Sequence, residues 1–157
     1  MVVSRKIKEY LDNNGVEYKV LIHPTAYTAQ EIAAATHVSG KELAKAIMVN
    51  ADGRMVMVVL PSTHKIDFDK IKQALNAKKV NLATEEEFRE LFPDCEIGAQ
   101  PPFGNLYNVD VLAADSLAKA DDITFNAGTH TDVITIHRSD WERLVKPGHA
   151  QISERLT

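Results

Sequence analysis

AKAIMVNADGRMVMVVL is the sequence of residues 44–60, and it carries the clearest structural signal in this 157-residue chain. Its central Asp52-Gly53 is favoured in two-residue type I′ turns, so it predicts a hairpin of strands over 44–51 and 54–60. Residues 55–60 show no polar alternation, which is typical of a strand buried on both faces in a sheet covered by helices. Pro61 is expected to end that strand.

The segments on either side of the hairpin mix helices and strands. Apolar spacing and capping-box signals predict helices over residues 3–13, 28–36, 67–75, from 84 onward, and 139–145 with Ser139 as its cap. Strands are predicted over residues 17–22, 80–83, 106–113, 122–126 and 132–137, and the polar tail from Lys146 is expected to be loose. Since this order has no strict βαβ rhythm, we expect an α/β (α+β) fold with a mixed sheet.

Composition limits the function classes. The length and a hydrophobic content of 45% suit a single domain over residues 1–157. With 18 basic against 22 acidic residues, the net charge of −4 argues against an extended nucleic-acid footprint, so any nucleic-acid contact should be small and local. The single Cys95, the lack of an apolar leader and the short apolar run at 55–60 predict a cytoplasmic protein with no membrane partner.

Residues 98–104, GAQPPFG, are unsuited to a strand or a helix. Pro101 and Pro102 lack backbone N–H groups and fix φ, whereas Gly98 and Gly104 permit conformations or close approaches that a Cβ would forbid. This pattern predicts a rigid loop that can present main-chain groups to a ligand. An ordinary tight connection between two elements is the alternative.

Lys45 lies in phase with apolar side chains on the first hairpin strand. Alternation places it on the face of Ile47 and Val49, and the opposite face carries Ala44, Ala46 and Met48. Its ammonium could simply extend to water at the end of the strand. It could instead lie at the mouth of a pocket, where it would bind a phosphate or carboxylate or stabilise a developing oxyanion.

The turn at residues 128–132, GTHTD, is the third candidate. His130 follows Gly128 and Thr129 at the entry to a strand and could form a polar wall of a site, although turn histidines are more often surface groups. The other histidines are scattered and no HExxH or paired-cysteine spacing occurs, so we expect neither a metal nor another cofactor.

Patterns for covalent catalysis are weak. Cys95 lies between Asp94 and Glu96, whose charges disfavour a thiolate, and the sequence has no G-x-S-x-G elbow, Walker A loop or Rossmann glycine pattern. An enzyme built from these residues would act by positioning and electrostatics on a labile bond.

Taken together, several motifs in order along residues 7–145 resemble the YbaK-type aminoacyl-tRNA deacylases, free-standing relatives of the editing domain inserted in prolyl-tRNA synthetases. The motifs are His23-Pro24, Thr28-Ala29-Gln30-Glu31, Lys45-Ala46-Ile47-Met48-Val49, the loop at 98–104 and the turn at 127–131. The resemblance implies a curved, partly barrel-like mixed sheet surrounded by helices. It also implies hydrolysis of mischarged tRNA in trans, with tRNA for proline carrying a small amino acid such as alanine or cysteine as the first candidate.

The resemblance also implies residue roles. Lys45 corresponds to the family's essential lysine, which handles the terminal phosphate or the substrate carbonyl, and Gly98 to the loop glycine that places water and amino acid. The predicted substrate-binding residues are Ala46, Pro101, Pro102, Phe103, Gly104, Gly128, Thr129 and His130. Many relatives have a small polar residue where this chain has Ala46, so the resemblance does not fix the amino acid that is edited.

The implied partners are the CCA end of a mischarged aminoacyl-tRNA and, beyond it, prolyl-tRNA synthetase. Two other interpretations stay open at this point: a module that binds a tRNA end or a nucleotide without turnover, and a regulatory subunit that shares only the fold. Accelerated loss of the ester from a charged tRNA would separate the enzyme from the binder.

Overall fold

The computed structural model of the protein describes residues 5–156. Its helices are α1 (Arg5–Asn13), α2 (Ala29–Thr36), α3 (Phe68–Leu75), α4 (Glu85–Arg89) and α5 (Arg138–Val145). Its strands are β1 (Lys19–Ile22), β2 (Ala44–Ala51), β3 (Arg54–Pro61), β4 (His64–Ile66), β5 (Val80–Leu82), β6 (Asp110–Ala114), β7 (Asp122–Asn126), β8 (Asp132–His137), β9 (Gly148–Ala150) and β10 (Ser153–Arg155). Within these described residues, no helix is both long and apolar enough to cross a membrane.

The hairpin of β2 and β3 forms the centre of a five-stranded mixed sheet with the order β5-β2-β3-β6-β9. Asp52 and Gly53 adopt positive φ angles of 51° and 87°, as a type I′ turn requires. β3 pairs antiparallel with β2 and parallel with β6, and its residues from Val56 onward are buried. The predicted mixed sheet and the doubly buried strand are therefore confirmed.

A second, antiparallel sheet has the order β1-β8-β7 and meets the first where β2 begins. A parallel bridge joins Leu43 to Thr124, and the Thr124 N–H donates a hydrogen bond to the Glu42 carbonyl at 2.9 Å. Residues of both sheets pack into one core, which includes Phe103, Phe125 and Trp141. The strands described do not close into a barrel.

Alternation along β2 sends side chains into two different cores. Ala44 and Met48 pack with the aromatic cluster between the sheets, whereas Val49 packs with Ile71 of α3 on the other face of the central sheet. By alternation, Lys45 lies on the same face of β2 as Val49, but it is at the start of the strand, where the sheet is open. β5 pairs with β2 only from Val49 onward, so the edge of β2 before that residue is free to form a cleft.

Several element boundaries differ from the sequence prediction. Residues 106–109 do not extend β6, since Gly104–Tyr107 forms a 3-10 turn that ends at Asn108 with φ 58°. The last helix begins at Arg138 after His137, so the prediction that Ser139 caps it is wrong. The tail is not loose, because it contributes β9 and β10, and β10 pairs with β4, which the sequence analysis missed. Val3 of the first predicted helix lies outside the described residues.

Candidate active site

A cleft of about 190 Å³ opens at the start of β2, where the two sheets meet. One wall is the free edge of β2 from Ala44 to Ile47, and the opposite wall is the proline loop at residues 98–104. The residues that line it are Tyr27, Ile32, Leu43, Ala44, Lys45, Ala46, Ile47, Gly98, Gln100, Pro102, Phe125 and Asn126. The cleft therefore brings together two features that are more than 50 residues apart in the sequence.

Lys45 is held by the hairpin, where it pairs with Leu60 of β3. Its side chain is partly buried and forms no hydrogen bond or ion pair with any residue in the range 5–156. Burial lowers the pKa of the Lys45 ammonium. A desolvated cation without a partner is well suited to attract an anionic group of a ligand.

The proline loop lies against the edge of β2. The Gln100 side-chain amide donates a hydrogen bond from Nε2 to the Ala46 carbonyl oxygen at 3.2 Å. Gly98 has a φ of +84°, a conformation that side-chain-bearing residues rarely adopt. Lys45 and Gly98 thus line one cleft.

Phe103 and Gly104 support the loop from behind. Phe103 is fully buried, and its ring packs edge-on against Phe125, with ring centroids 5.5 Å apart. A Cβ at Gly104 would lie 2.5 Å from the Val109 carbonyl oxygen, so only glycine fits there. Neither residue lines the cleft, and both support the wall formed by the proline loop through their packing in the core.

The turn at residues 128–132 is attached to the same loop. The Gly128 N–H donates to the Ala99 carbonyl at 2.9 Å, and the Glu96 N–H donates to the Gly128 carbonyl at 2.8 Å. The Thr129 hydroxyl donates to the buried Asp132 carboxylate. Gly128 and Thr129 therefore contact the loop and the core rather than the cleft, and Pro101 is likewise buried outside the lining.

His130 does not line the cleft, but it lies next to two residues that do, Tyr27 and Gly98. Its Nε2 lies 2.8 Å from the Ile97 carbonyl, so this nitrogen carries the proton, and its backbone N–H donates to the Glu96 carboxylate at 2.7 Å. Its ring lies against the Tyr27 ring, with centroids 4.7 Å apart, and its Cε1 would be 3.7 Å from a Cβ on Gly98. His130 Nδ1 is a buried atom without a hydrogen-bond partner.

Of the lining residues that the sequence did not predict, three have polar side chains: Tyr27, Gln100 and Asn126. Asn126 ends β7, and its Oδ1 is buried with no hydrogen-bond partner in the described structure. Buried polar atoms are nearly always paired, so an unpaired amide oxygen on a residue that lines a cleft indicates a place for a ligand donor. The only feature of the sequence that could have indicated Asn126 was its position directly before Ala127-Gly128. For Tyr27 the only such feature was its position before the helix cap Thr28.

The chemistry that this cleft can perform is limited by its side chains. Its lining includes one ammonium, two amides and a phenol, but no carboxylate, thiol or imidazole among the described residues. Cys95 is outside it, and burial raises the pKa of its thiol to about 12. No group of three or more metal-binding side chains occurs within residues 5–156. The cleft can orient a substrate and stabilise negative charge, and water would be the nucleophile.

Comparison with known protein families gives one match across most of the chain. The family model described as an aminoacyl-tRNA editing domain matches residues 23–144, a range that contains every residue of the cleft.

Curated relatives include two proline–tRNA ligases. The chain is 32% identical to that of Geobacillus thermodenitrificans (strain NG80-2) over 103 residues, which is 66% of this chain and 18% of the relative. It is 32% identical to that of Geobacillus kaustophilus (strain HTA426) over 110 residues, 70% of this chain and 19% of the relative. The chain thus spans under a fifth of these ligases.

Solved structures share the fold. One, described provisionally as a trans-editing enzyme for prolyl tRNA synthetase, superimposes with a TM-score of 0.84 at 21% identity, covering 96% of each chain. Another, described as a hypothetical protein, gives a TM-score of 0.85 at 22% identity, covering 96% of this chain and all of the other. At such identities the likeness establishes the architecture alone.

Proposed function

This chain belongs to the aminoacyl-tRNA editing domain family, and from that premise we propose that residues 1–157 act as one deacylase that hydrolyses the ester of mischarged tRNA in trans. The observation that carries the proposal is the convergence of Lys45, Gly98 and Asn126 on one small cleft. Prolyl-tRNA synthetase is the proposed functional partner, since the curated relatives are proline–tRNA ligases.

The proposed reaction adds water across the aminoacyl ester. Water attacks the carbonyl carbon, the bond to the ribose oxygen breaks, and the products are the free amino acid and a tRNA with a free terminal hydroxyl. Negative charge develops on the carbonyl oxygen, and the Lys45 ammonium in its partly buried position would stabilise that charge. The Gly98 backbone would position the water and the ester.

Asn126 has a place in this scheme. The α-ammonium of an aminoacyl group is a hydrogen-bond donor, and the buried Oδ1 of Asn126 is an acceptor without a partner. A hydrogen bond between them would orient the substrate and distinguish it from a group that lacks an amine. A hydrogen bond to a charged group contributes about 1.5–3 kcal/mol.

The dimensions of the cleft favour a small substrate side chain. Its volume of about 190 Å³ lies below the roughly 300–1,000 Å³ of usual small-molecule sites. It would admit the aminoacyl group and leave the adenine outside, where the exposed ring of Tyr27 offers a stacking surface. Alanine on tRNA for proline is the first candidate, followed by cysteine.

The test is a deacylation assay with alanyl-, cysteinyl- and seryl-tRNA against a buffer control. We expect accelerated ester loss for at least one of them, and loss of that activity in Lys45→Ala with the far-UV CD spectrum unchanged. Lys41→Ala, which changes an exposed lysine four residues away, is the matched control and should keep full activity. A Lys45→Ala protein that works at the wild-type rate would refute the mechanism.

A binding module is the second candidate, and the lack of a carboxylate, thiol or imidazole in the cleft favours it. It requires saturable binding of charged tRNA with no ester loss above the buffer rate for any member of the panel. The same experiment therefore distinguishes the two functions.

A further inference from the structure

A group of cationic side chains lies outside the cleft on the ladder of β4 and β10. His64 and Arg155 are directly opposite partners in this antiparallel ladder, so their side chains emerge on the same face. Lys65 and Glu154 are the adjacent pair and emerge on the other face, where they form an ion pair at 3.2 Å. The two faces of the ladder therefore differ in charge.

Lys119 comes to the His64 face from a different part of the chain. Ser153 links the two segments, since its hydroxyl lies 2.9 Å from His64 Nδ1 and 3.4 Å from the Ser116 hydroxyl. Ser116 belongs to the 3-10 turn Asp115–Lys119, whose last residue is the exposed Lys119. Neither Lys119 nor Arg155 forms an ion pair within residues 5–156.

The electrostatics connect this face to the cleft. Burial lowers the pKa of His64, and so do the charges of Lys119, Arg155 and Lys45, in that order. Charges act on one another over roughly a Debye length of 8–10 Å, so these cations share one region of positive potential. The backbone supports this connection, because Ala44, the neighbour of Lys45, pairs with Pro61, and β4 begins at His64 three residues later.

We propose that Lys119 and Arg155, here called the cationic strip, bind the backbone phosphates of the single-stranded RNA end whose last nucleotide enters the cleft, with the His64 imidazole beside them. Since β4 follows directly on the strand that pairs with Lys45, an RNA strand that leaves the cleft on this side would pass over the strip. It is a local positive surface on a chain of net charge −4, as the contact of a short RNA end requires. The inference rests on the proposed function for the identity of the ligand.

The test is fluorescence anisotropy with an RNA hairpin that carries no amino acid and ends in a single-stranded 3′ ACCA. The double variant Lys119→Gln/Arg155→Gln keeps the His64–Ser153 hydrogen bond and changes only exposed groups. The control is Lys65→Gln/Lys72→Gln, which removes two charges that are already paired with Glu154 and Asp69. Thermal denaturation of both variants shows that each is folded.

We expect the Kd of the strip variant to rise about 10-fold and that of the control to change less than two-fold. The slope of log Kd against log salt should fall by about 1.4, since each single-strand phosphate contact contributes about 0.7. Equal behaviour of the two variants would overturn the inference. So would an equal loss of affinity for a blunt hairpin without the 3′ extension, since duplex binding would then explain the effect.

This experiment separates the strip from the deacylase. The hairpin carries no ester, so a strip-dependent Kd supports the strip even if no charged tRNA is hydrolysed. Conversely, if charged tRNA is hydrolysed but the strip variant binds the hairpin with an unchanged Kd, the proposed deacylase function is supported and the inference about the strip is refuted.

Discussion

The indole N–H of Trp141 donates a hydrogen bond to the carbonyl oxygen of Pro102 at 2.8 Å. Trp141 is fully buried on α5, whereas Pro102 lines the cleft. The position of the proline loop is therefore fixed by a helix that follows it by about 40 residues. Pro101 and Pro102 have no N–H to donate. The loop has a local backbone bond from the Phe103 N–H to the Pro101 carbonyl at 2.8 Å, and Trp141 adds a constraint on the Pro102 carbonyl from outside the loop.

Replacing Trp141 with phenylalanine should lower the free energy of unfolding by about 2 kcal/mol, because the buried Pro102 carbonyl loses its donor and the core loses volume. Urea denaturation followed by CD measures this change. Arg143→Ala, a surface change on the same helix, should stay within about 0.5 kcal/mol. A Trp141→Phe loss as small as that of the control would mean that the hydrogen bond contributes nothing.

Gly104→Ala and Gly98→Ala should separate packing from loop geometry. The Gly104 Cβ would lie 2.5 Å from a carbonyl oxygen, so a loss of about 3 kcal/mol in stability is expected. A Cβ added at Gly98 would meet only His130 Cε1, at 3.7 Å, so Gly98→Ala should lower the free energy of unfolding by only the cost of its positive φ, about 1 kcal/mol. Its effect on deacylation should be larger. Denaturation and deacylation of both variants test this; the reverse order of stabilities would contradict it.

Lys45→Met should raise stability while it abolishes deacylation. Burial lowers the folded-state pKa of Lys45 below its ordinary value of 10.5, so the folded protein binds fewer protons than the unfolded chain between these two pKa values. Stability of the wild type therefore rises with pH across that window and is reduced below it. We expect a gain of about 1 kcal/mol at pH 7, measured by urea denaturation. Lys41→Met should show no gain.

Asn126→Ala should affect activity more than stability. Since Oδ1 has no partner in the fold, its removal should change the free energy of unfolding by less than about 0.5 kcal/mol. The kcat/KM for deacylation should fall about 10-fold, which corresponds to about 1.4 kcal/mol. Asn81→Ala, an exposed change on β5, is the control. Unchanged kcat/KM would show that the amide does not contact the substrate.

Cys95 should be unreactive in the folded protein. Its pKa is raised to about 12, mainly by burial, so the thiolate is scarce at pH 8. Alkylation by iodoacetamide should be at least about 100-fold slower than in urea, and deacylation should survive the treatment. Rapid alkylation with parallel loss of activity would reopen a role for this thiol.

Most signals that lie within a few residues of one another predicted the local structure correctly, and Ser139 is an exception. Asp52-Gly53 forms the predicted turn, and Thr28 and Thr84 form the predicted capping boxes with Glu31 and Glu87. The prediction that Ser139 caps the last helix failed because the helix already begins at Arg138. The Arg138 backbone N–H donates to the distant Asp121 carbonyl, so this N–H needs no local cap.

In the candidate site, too, the sequence predicted some residues correctly and left the contacts of others undetermined. Lys45 could be found from its phase on a strand, and the loop at 98–104 from its glycines and prolines. Gly128 and Thr129 come from the same motif as His130, yet their contacts go to the loop and to Asp132. Their proposed roles in binding stay predictions.

From the sequence alone came the hairpin, the two capping boxes and the loop at 98–104, because turn chemistry, capping and side-chain alternation depend on near neighbours. Only the tertiary structure decided that Asn126 lines the same cleft as Lys45, that Trp141 holds Pro102, and that β10 pairs with β4 to place Arg155 opposite His64. These contacts join residues 39 to 91 positions apart, and their free energy comes from burial and pairing that exist only once the whole chain has folded.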